Sequence, residues 1–235
     1  MKKLITVLFI LFSLVGFVKG DVAEGESVLA FQDTYVDGFK ATTNYGSDEI
    51  LAIGPGESRV AYFGFDLTDY VIPSGRVVSL ARLRLTAAGF VDVNELVVYE
   101  ISDNTWDANI ITSEFQPGYS GYTPVFRVSS PTYQTYLDLT SVVRSKLGQQ
   151  FSLVITSGPS EYDYGPSFWA SLENSDPNAR PTLEIFTDNP DPDSCGELWE
   201  YGLGKPADIN RDCQIDFVDL SVFVEQWMQT NNPAL

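Results

Sequence analysis

The chain of 235 residues contains no histidine. Without an imidazole, Ser-His-Asp and Cys-His nucleophilic catalysis, HExxH zinc chemistry and histidine general bases are all excluded. Basic residues are few, 14 Lys+Arg against 32 Asp+Glu, for a formal charge of -18. A surface of that sign repels nucleic acid and anionic membrane and suits divalent cations. Glycine-rich phosphate loops are missing too, so nucleotide chemistry has no support. Cysteine occurs only twice, at Cys195 and Cys213, and long apolar runs only once, from Leu4 to Val18.

That run follows Lys2 and Lys3 and ends just before Gly20, the order of a secretory signal peptide cleaved ahead of Asp21. A single-pass anchor is the alternative, but the run is short for a bilayer and no second hydrophobic stretch follows. Residues 1–20 carry three of the basic residues and no acid, so the remainder has a formal charge of -21. The expected location is secreted, extracellular or cell-surface. In that oxidising setting an even cysteine count predicts a Cys195–Cys213 disulfide, which would brace a C-terminal module of about forty residues. A pair of free thiols or a soft-metal site is the other reading, and it lacks a histidine or third cysteine.

Between Val28 and Phe186, short alternating apolar segments are separated by Gly, Pro, Asn and Asp turns, which predicts an all-β domain. In VAYFGFDL the residues Ala61, Phe63, Phe65 and Leu67 share one face; in LARLRL, Ala81, Leu83 and Leu85 share one and Arg82 and Arg84 the other. Further strands are predicted at 95–101, 124–129, 151–156 and 181–186. About 160 residues of this kind bury one core as a two-sheet sandwich. The segment TDNPDPDS at 187–194 has no apolar period and reads as a stiff linker, from 188 to 194, before a module at 195–235.

Residues 208–219, DINRDCQIDFVD, place oxygen-bearing side chains at positions 1, 3, 5, 9 and 12 of a twelve-residue window, the spacing of an EF-hand calcium loop. Asp208, Asn210 and Asp212 would give side-chain oxygens, Gln214 a backbone carbonyl, Asp216 a direct or water-mediated contact and Asp219 the closing carboxylate. The ion would be Ca2+. A solvated acidic turn without metal is the competing reading. Cys213 stands where a glycine is usual, and Asp219 where a glutamate is. After the loop, Phe217, Leu220, Val224 and Trp227 recur at helical spacing, which predicts an amphipathic helix. The stretch from Asp208 to Trp227 resembles one dockerin repeat, D-x-N-x-D-x-x-I-x-x-x-D followed by a helix. The resemblance covers half of a two-repeat module and implies docking to a cohesin-like or other protein receptor.

The large domain also resembles a known family. DTYVDGFKATTNYGSDEILAIG, YFGFDL, LARLRL, LDLTSVV, and ASLEN followed by Arg180-Pro181-Thr182-Leu183 are similar, in order and spacing, to the DNRLRE domain and the related carbohydrate-binding module family 96. The resemblance implies a jelly-roll-like β-sandwich over residues 21–187 and, as in some members, polysaccharide binding. Where members often carry a basic residue before Phe-Asp-Leu, this chain has Gly64.

Flat aromatic rings stack on sugars, and cations hold anionic ones. Tyr162, Tyr164 and Trp169, which flank the loop before the last strand, are the leading ring candidates, ahead of Tyr119, Tyr122, Tyr133 and Tyr136. Arg82 and Arg84 form a candidate cationic strip or an ordinary solvent face. Trp106 is expected to plug the core. Asp33, Asp37 and Asp48 could hold a second, structural calcium, and Glu173 and Arg180 could pair across the last hairpin. The favoured function is a secreted, non-catalytic polysaccharide-binding protein with a calcium-dependent tail. A structural or adhesive surface protein is the alternative. A polysaccharide-degrading enzyme is weakest, because no carboxylate pair stands out from the general acidity.

Overall fold

The computed structural model of the protein describes residues 24–55, 58–158, 165–188, 207–210 and 214–230. Eleven strands are found there: β1 (Glu24–Leu29), β2 (Gln32–Asp37), β3 (Ile50–Ile53), β4 (Arg59–Asp66), β5 (Val77–Thr86), β6 (Glu95–Ile101), β7 (Pro124–Ser129), β8 (Gln134–Asp138), β9 (Gln150–Ser157), β10 (Ser167–Ala170) and β11 (Thr182–Asp188). Helix α1 spans Thr140–Lys146 and helix α2 spans Phe217–Thr230. Every pairing is antiparallel. The sheets run β1-β11-β5-β8, β2-β4-β9-β6-β7 and a two-stranded β10-β3.

Period-two side chains from the sheets meet in one core, so the domain is a β-sandwich. Ala81, Leu83 and Leu85 of β5 and Leu183 and Ile185 of β11 lie in the same buried cluster as Ala61, Phe63 and Phe65 of β4 and Leu153 and Ile155 of β9. The strands expected at 95–101 and 124–129 stand at those residues.

One feature differs from a half-buried strand pattern. Val60 and Tyr62, on the opposite face of β4, are buried as well. The segment following β6 folds over that face and builds a second cluster from Val36, Val60, Tyr62, Ile101, Trp106, Ala108, Ile111 and Val154. Trp106 therefore plugs this outer core rather than the one between the sheets. Its Nε1 donates to Ser152 Oγ at 2.9 Å, and its ring meets Tyr62 edge-on at 5.8 Å. Asn44 pins the same segment by donating to the Ala108 and Ile111 carbonyls at 2.7 and 2.8 Å.

Candidate functional site

The outward face of the β1-β11-β5-β8 sheet carries Arg82 and Arg84. Because neighbours two apart on β5 share a face, the inward register of Leu83 and Leu85 fixes both arginines outward. In register, Arg82 stands between Glu184 and Asp138, and Arg84 between Thr182 and Tyr136. One carboxylate serves both guanidiniums. Arg82 Nε donates to Glu184 Oε2 at 2.8 Å, and Arg84 Nε to Glu184 Oε1 at 3.2 Å. Asp138 does not compete, because its carboxylate accepts the Thr140 N–H and hydroxyl at the start of α1 (2.9 and 2.7 Å).

The two arginines then diverge. Arg84 is held on every nitrogen: besides Nε, Nη1 donates to the Asn178 carbonyl (2.7 Å) and Thr86 Oγ1 (3.2 Å), and Nη2 to Thr182 Oγ1 (3.0 Å). Arg82 donates only through Nε among the described residues. Its guanidinium lies between two rings, 4.2 Å from the Tyr136 centroid and 5.2 Å from that of Phe186. Stacking holds the planar group in place by cation–π attraction while its remaining N–H edges stay uncommitted. Gly25 makes the arrangement possible, since a Cβ there would stand 2.7 Å from the Phe186 ring. Tyr136 is 37 % exposed and the Arg82 side chain 33 %, so a ligand can reach both.

Leading residues from the sequence fall elsewhere. Trp169 is corrected: it is fully buried in the sandwich core on β10, where neither ring face can meet a sugar. An apolar ring in an alternating strand is drawn inward by burial. Tyr162 and Tyr164 lie outside the described residues. Gly64 is covered by Phe31, whose ring would stand 2.9 Å from a Cβ at that position, so no longer side chain fits without moving it. Arg180 does not pair with Glu173; its Nε donates to the Asn174 carbonyl at 3.0 Å, and Glu173 reaches the Asp33 carboxyl instead. Nor do Asp33, Asp37 and Asp48 converge. Asp37 accepts from Arg59 Nε at 3.0 Å and from the Phe39 N–H, and among the described residues no three acids cluster.

A concave surface of about 420 Å³ lies on the loop after β6 and is lined by Tyr99, Gln116, Pro117, Tyr119 and Tyr122. Tyr99 and Tyr119 are tilted together at 5.7 Å, and Tyr122 Oη lies 2.7 Å from Ser102 Oγ. It holds rings without an arginine.

In the C-terminal segment, Asp212, Cys213 and Cys195 lie outside the described residues. Asp208 and Asp219, the first and last positions of the calcium-type loop, are both buried. Asp219 Oδ2 accepts the Asp216 N–H (2.9 Å), and Oδ1 accepts those of Ile209 (2.7 Å) and Asn210 (3.2 Å). These backbone donors, that of Asp216 foremost, hold its carboxyl below the usual carboxylate range. Asp216 caps the start of α2 through the Val218 N–H at 2.7 Å. Phe217, Leu220 and Val224 are exposed on that helix.

Residues 26–187 match the family model of carbohydrate-binding module family 96. No curated protein matches the chain. No helix among the described residues is long and apolar enough to cross a membrane.

Proposed function

The chain belongs to carbohydrate-binding module family 96 through residues 26–187, and from that premise we propose that it is a secreted, non-catalytic protein whose sandwich binds an acidic polysaccharide on the outward face around Arg82. The observation that carries this reading is the Arg82 guanidinium clamped between Tyr136 and Phe186. A uronate carboxylate accepts two parallel N–H bonds from such an edge, and the pyranose ring stacks beside it on Tyr136. Glu184 and Asp138 balance the two arginines on this face, so what Arg82 offers an anion is a fixed pair of donors rather than net charge. Specificity follows from the planar edge that Arg82 presents, which matches a carboxylate.

The C-terminal segment would add assembly. Asp208, Asn210, Asp212, Gln214, Asp216 and Asp219 offer only hard oxygen donors, which suit Ca2+, and the buried Asp208 and Asp219 bring the ends of the loop together. Calcium there would hold the loop against α2, whose exposed apolar residues then present a surface to a protein receptor.

Affinity electrophoresis of the whole chain through gels containing uronic-acid or neutral polysaccharides tests the sandwich. Retardation in the uronate gel that Arg82→Ala relieves supports the face. Retardation relieved instead by Tyr119→Ala transfers the site to the tyrosine-lined surface, and no retardation in any gel favours a structural or adhesive role.

A further inference from the structure

The outward face that carries Arg82 does not stop at that residue. Along β8 the exposed Tyr136 and Gln134 continue it, with Tyr136 Oη donating to Gln134 Oε1 at 3.1 Å. Just before the strand the chain bends and leaves Tyr133 70 % exposed, while its carbonyl accepts the Ala87 N–H at 2.7 Å. A trough of about 460 Å³ opens beside that ring, where β5 ends. Ala87, Ala88, Gly89 and Ala170 line it with side chains no larger than a methyl group, and Asp176 stands over it on the turn between β10 and β11.

The walls of the trough are fixed. Arg84 Nη1 holds that turn by the Asn178 carbonyl at 2.7 Å, and Arg180 Nε holds it by the Asn174 carbonyl at 3.0 Å. Asp176 Oδ1 accepts the N–H and the Nδ2 of Asn178, at 3.0 and 3.2 Å, and its Oδ2 accepts nothing among the described residues. On the floor, the Ala88 N–H donates to the Phe168 carbonyl at 2.9 Å. Arg84 is thus committed to building one end of the face, while Arg82 keeps the other end open.

The two ends differ in chemistry. Arg82 offers N–H donors to a carboxylate, whereas the trough offers a ring, a floor of small residues and a carboxylate oxygen, with no basic side chain lining it among the described residues. A pyranose laid on Tyr133 can donate a hydroxyl to Asp176 Oδ2. A uronate in the same place would set its carboxylate against that of Asp176. From Arg82 to Ala87 the chain advances five residues, about 17 Å at the rise of a strand. One sugar cannot touch both ends, but a chain of several can.

We propose that the Tyr133 trough is a second sugar subsite, taking a neutral sugar of the same polysaccharide whose uronate Arg82 holds. The ligand class is then a heteropolysaccharide that mixes uronates with neutral sugars, rather than a pure polyuronate. This rests on the assignment of uronate binding to Arg82. The trough adds one stacked ring and lacks the charge-assisted bonds of Arg82, so it does not retain a wholly neutral polymer by itself.

Titration calorimetry of the whole chain with two acidic oligosaccharides of matched length tests the subsite: hyaluronan fragments, which alternate a uronate with a neutral N-acetylhexosamine, and oligogalacturonate, which is uronate throughout. The alternating chain is expected to bind several-fold more tightly. Tyr133→Ala should bring the two ligands level without lowering the melting temperature, and Tyr133→Trp, which keeps a stacking ring, should preserve the difference. Arg82→Ala should weaken both. If Arg82→Ala weakens both and Tyr133→Ala alters neither, the subsite is overturned while uronate binding at Arg82 stands. Equal weakening of both ligands by Tyr133→Ala overturns the neutral assignment, because the trough then takes a uronate. Binding of neither ligand, or binding indifferent to Arg82→Ala, removes the uronate reading and the subsite with it.

Discussion

Arg82 and Arg84 differ by two positions and by everything that surrounds them. Arg84 is bound on all sides by Glu184, Thr86, Thr182 and the Asn178 carbonyl, whereas Arg82 is stacked and open. Arg82→Ala should therefore lower uronate affinity about tenfold or more, the loss of one charge-assisted bidentate contact, while leaving melting little changed. Arg82→Lys should recover only part of the affinity, because a point charge cannot reproduce the planar fork. Titration calorimetry of the three proteins checks the ranking; equal affinities would remove Arg82 from the site. Trp169 is the opposite kind of residue. Fully buried, it should cost about 3–5 kcal/mol of stability on truncation to Ala, read by chemical denaturation.

At the scale of elements, β5 was legible because one apolar face alternates with one polar face in LARLRL and the flanking turns are marked by Gly and Pro. β4 was legible as a strand but not as one buried on both sides; Tyr62 lies under a segment from distant sequence that no local period announces. Helix α1 was hidden within LDLTSVV, where β-branched residues favour a strand and tertiary packing of Val142 and Val143 prevails. The candidate site was half legible. The alternation exposed the two arginines, but their rings come from β8 and β11, and only the register joins them. Trp169 misled for the same reason that it folds well: a large ring serves a core as readily as a sugar.

Two predictions belong to this scale. Gly25→Val, on β1, should tilt Phe186 off Arg82 and weaken uronate binding several-fold without touching either arginine, read by titration calorimetry. For α2, calcium should increase helical ellipticity and Asp219→Ala should abolish the change; identical spectra with and without chelator would refute a metal in the loop.

For the whole molecule, charge sets the behaviour. With 32 acids against 14 bases, a polyanionic ligand meets general repulsion, which the directed donors of Arg82 must overcome by local attraction. Salt screens both, so raising ionic strength should weaken uronate binding less steeply than it does for a basic protein, and divalent cations that neutralise the surface should strengthen it. The measurement that bears most directly on the central claim is calorimetric titration of the whole chain with a uronic-acid polysaccharide and with a neutral one of similar length, repeated for Arg82→Ala. Saturable binding of the uronate polymer alone, reduced about tenfold by the substitution, is the predicted result. Equal binding of both polymers, or uronate binding unaffected by Arg82→Ala, would contradict it.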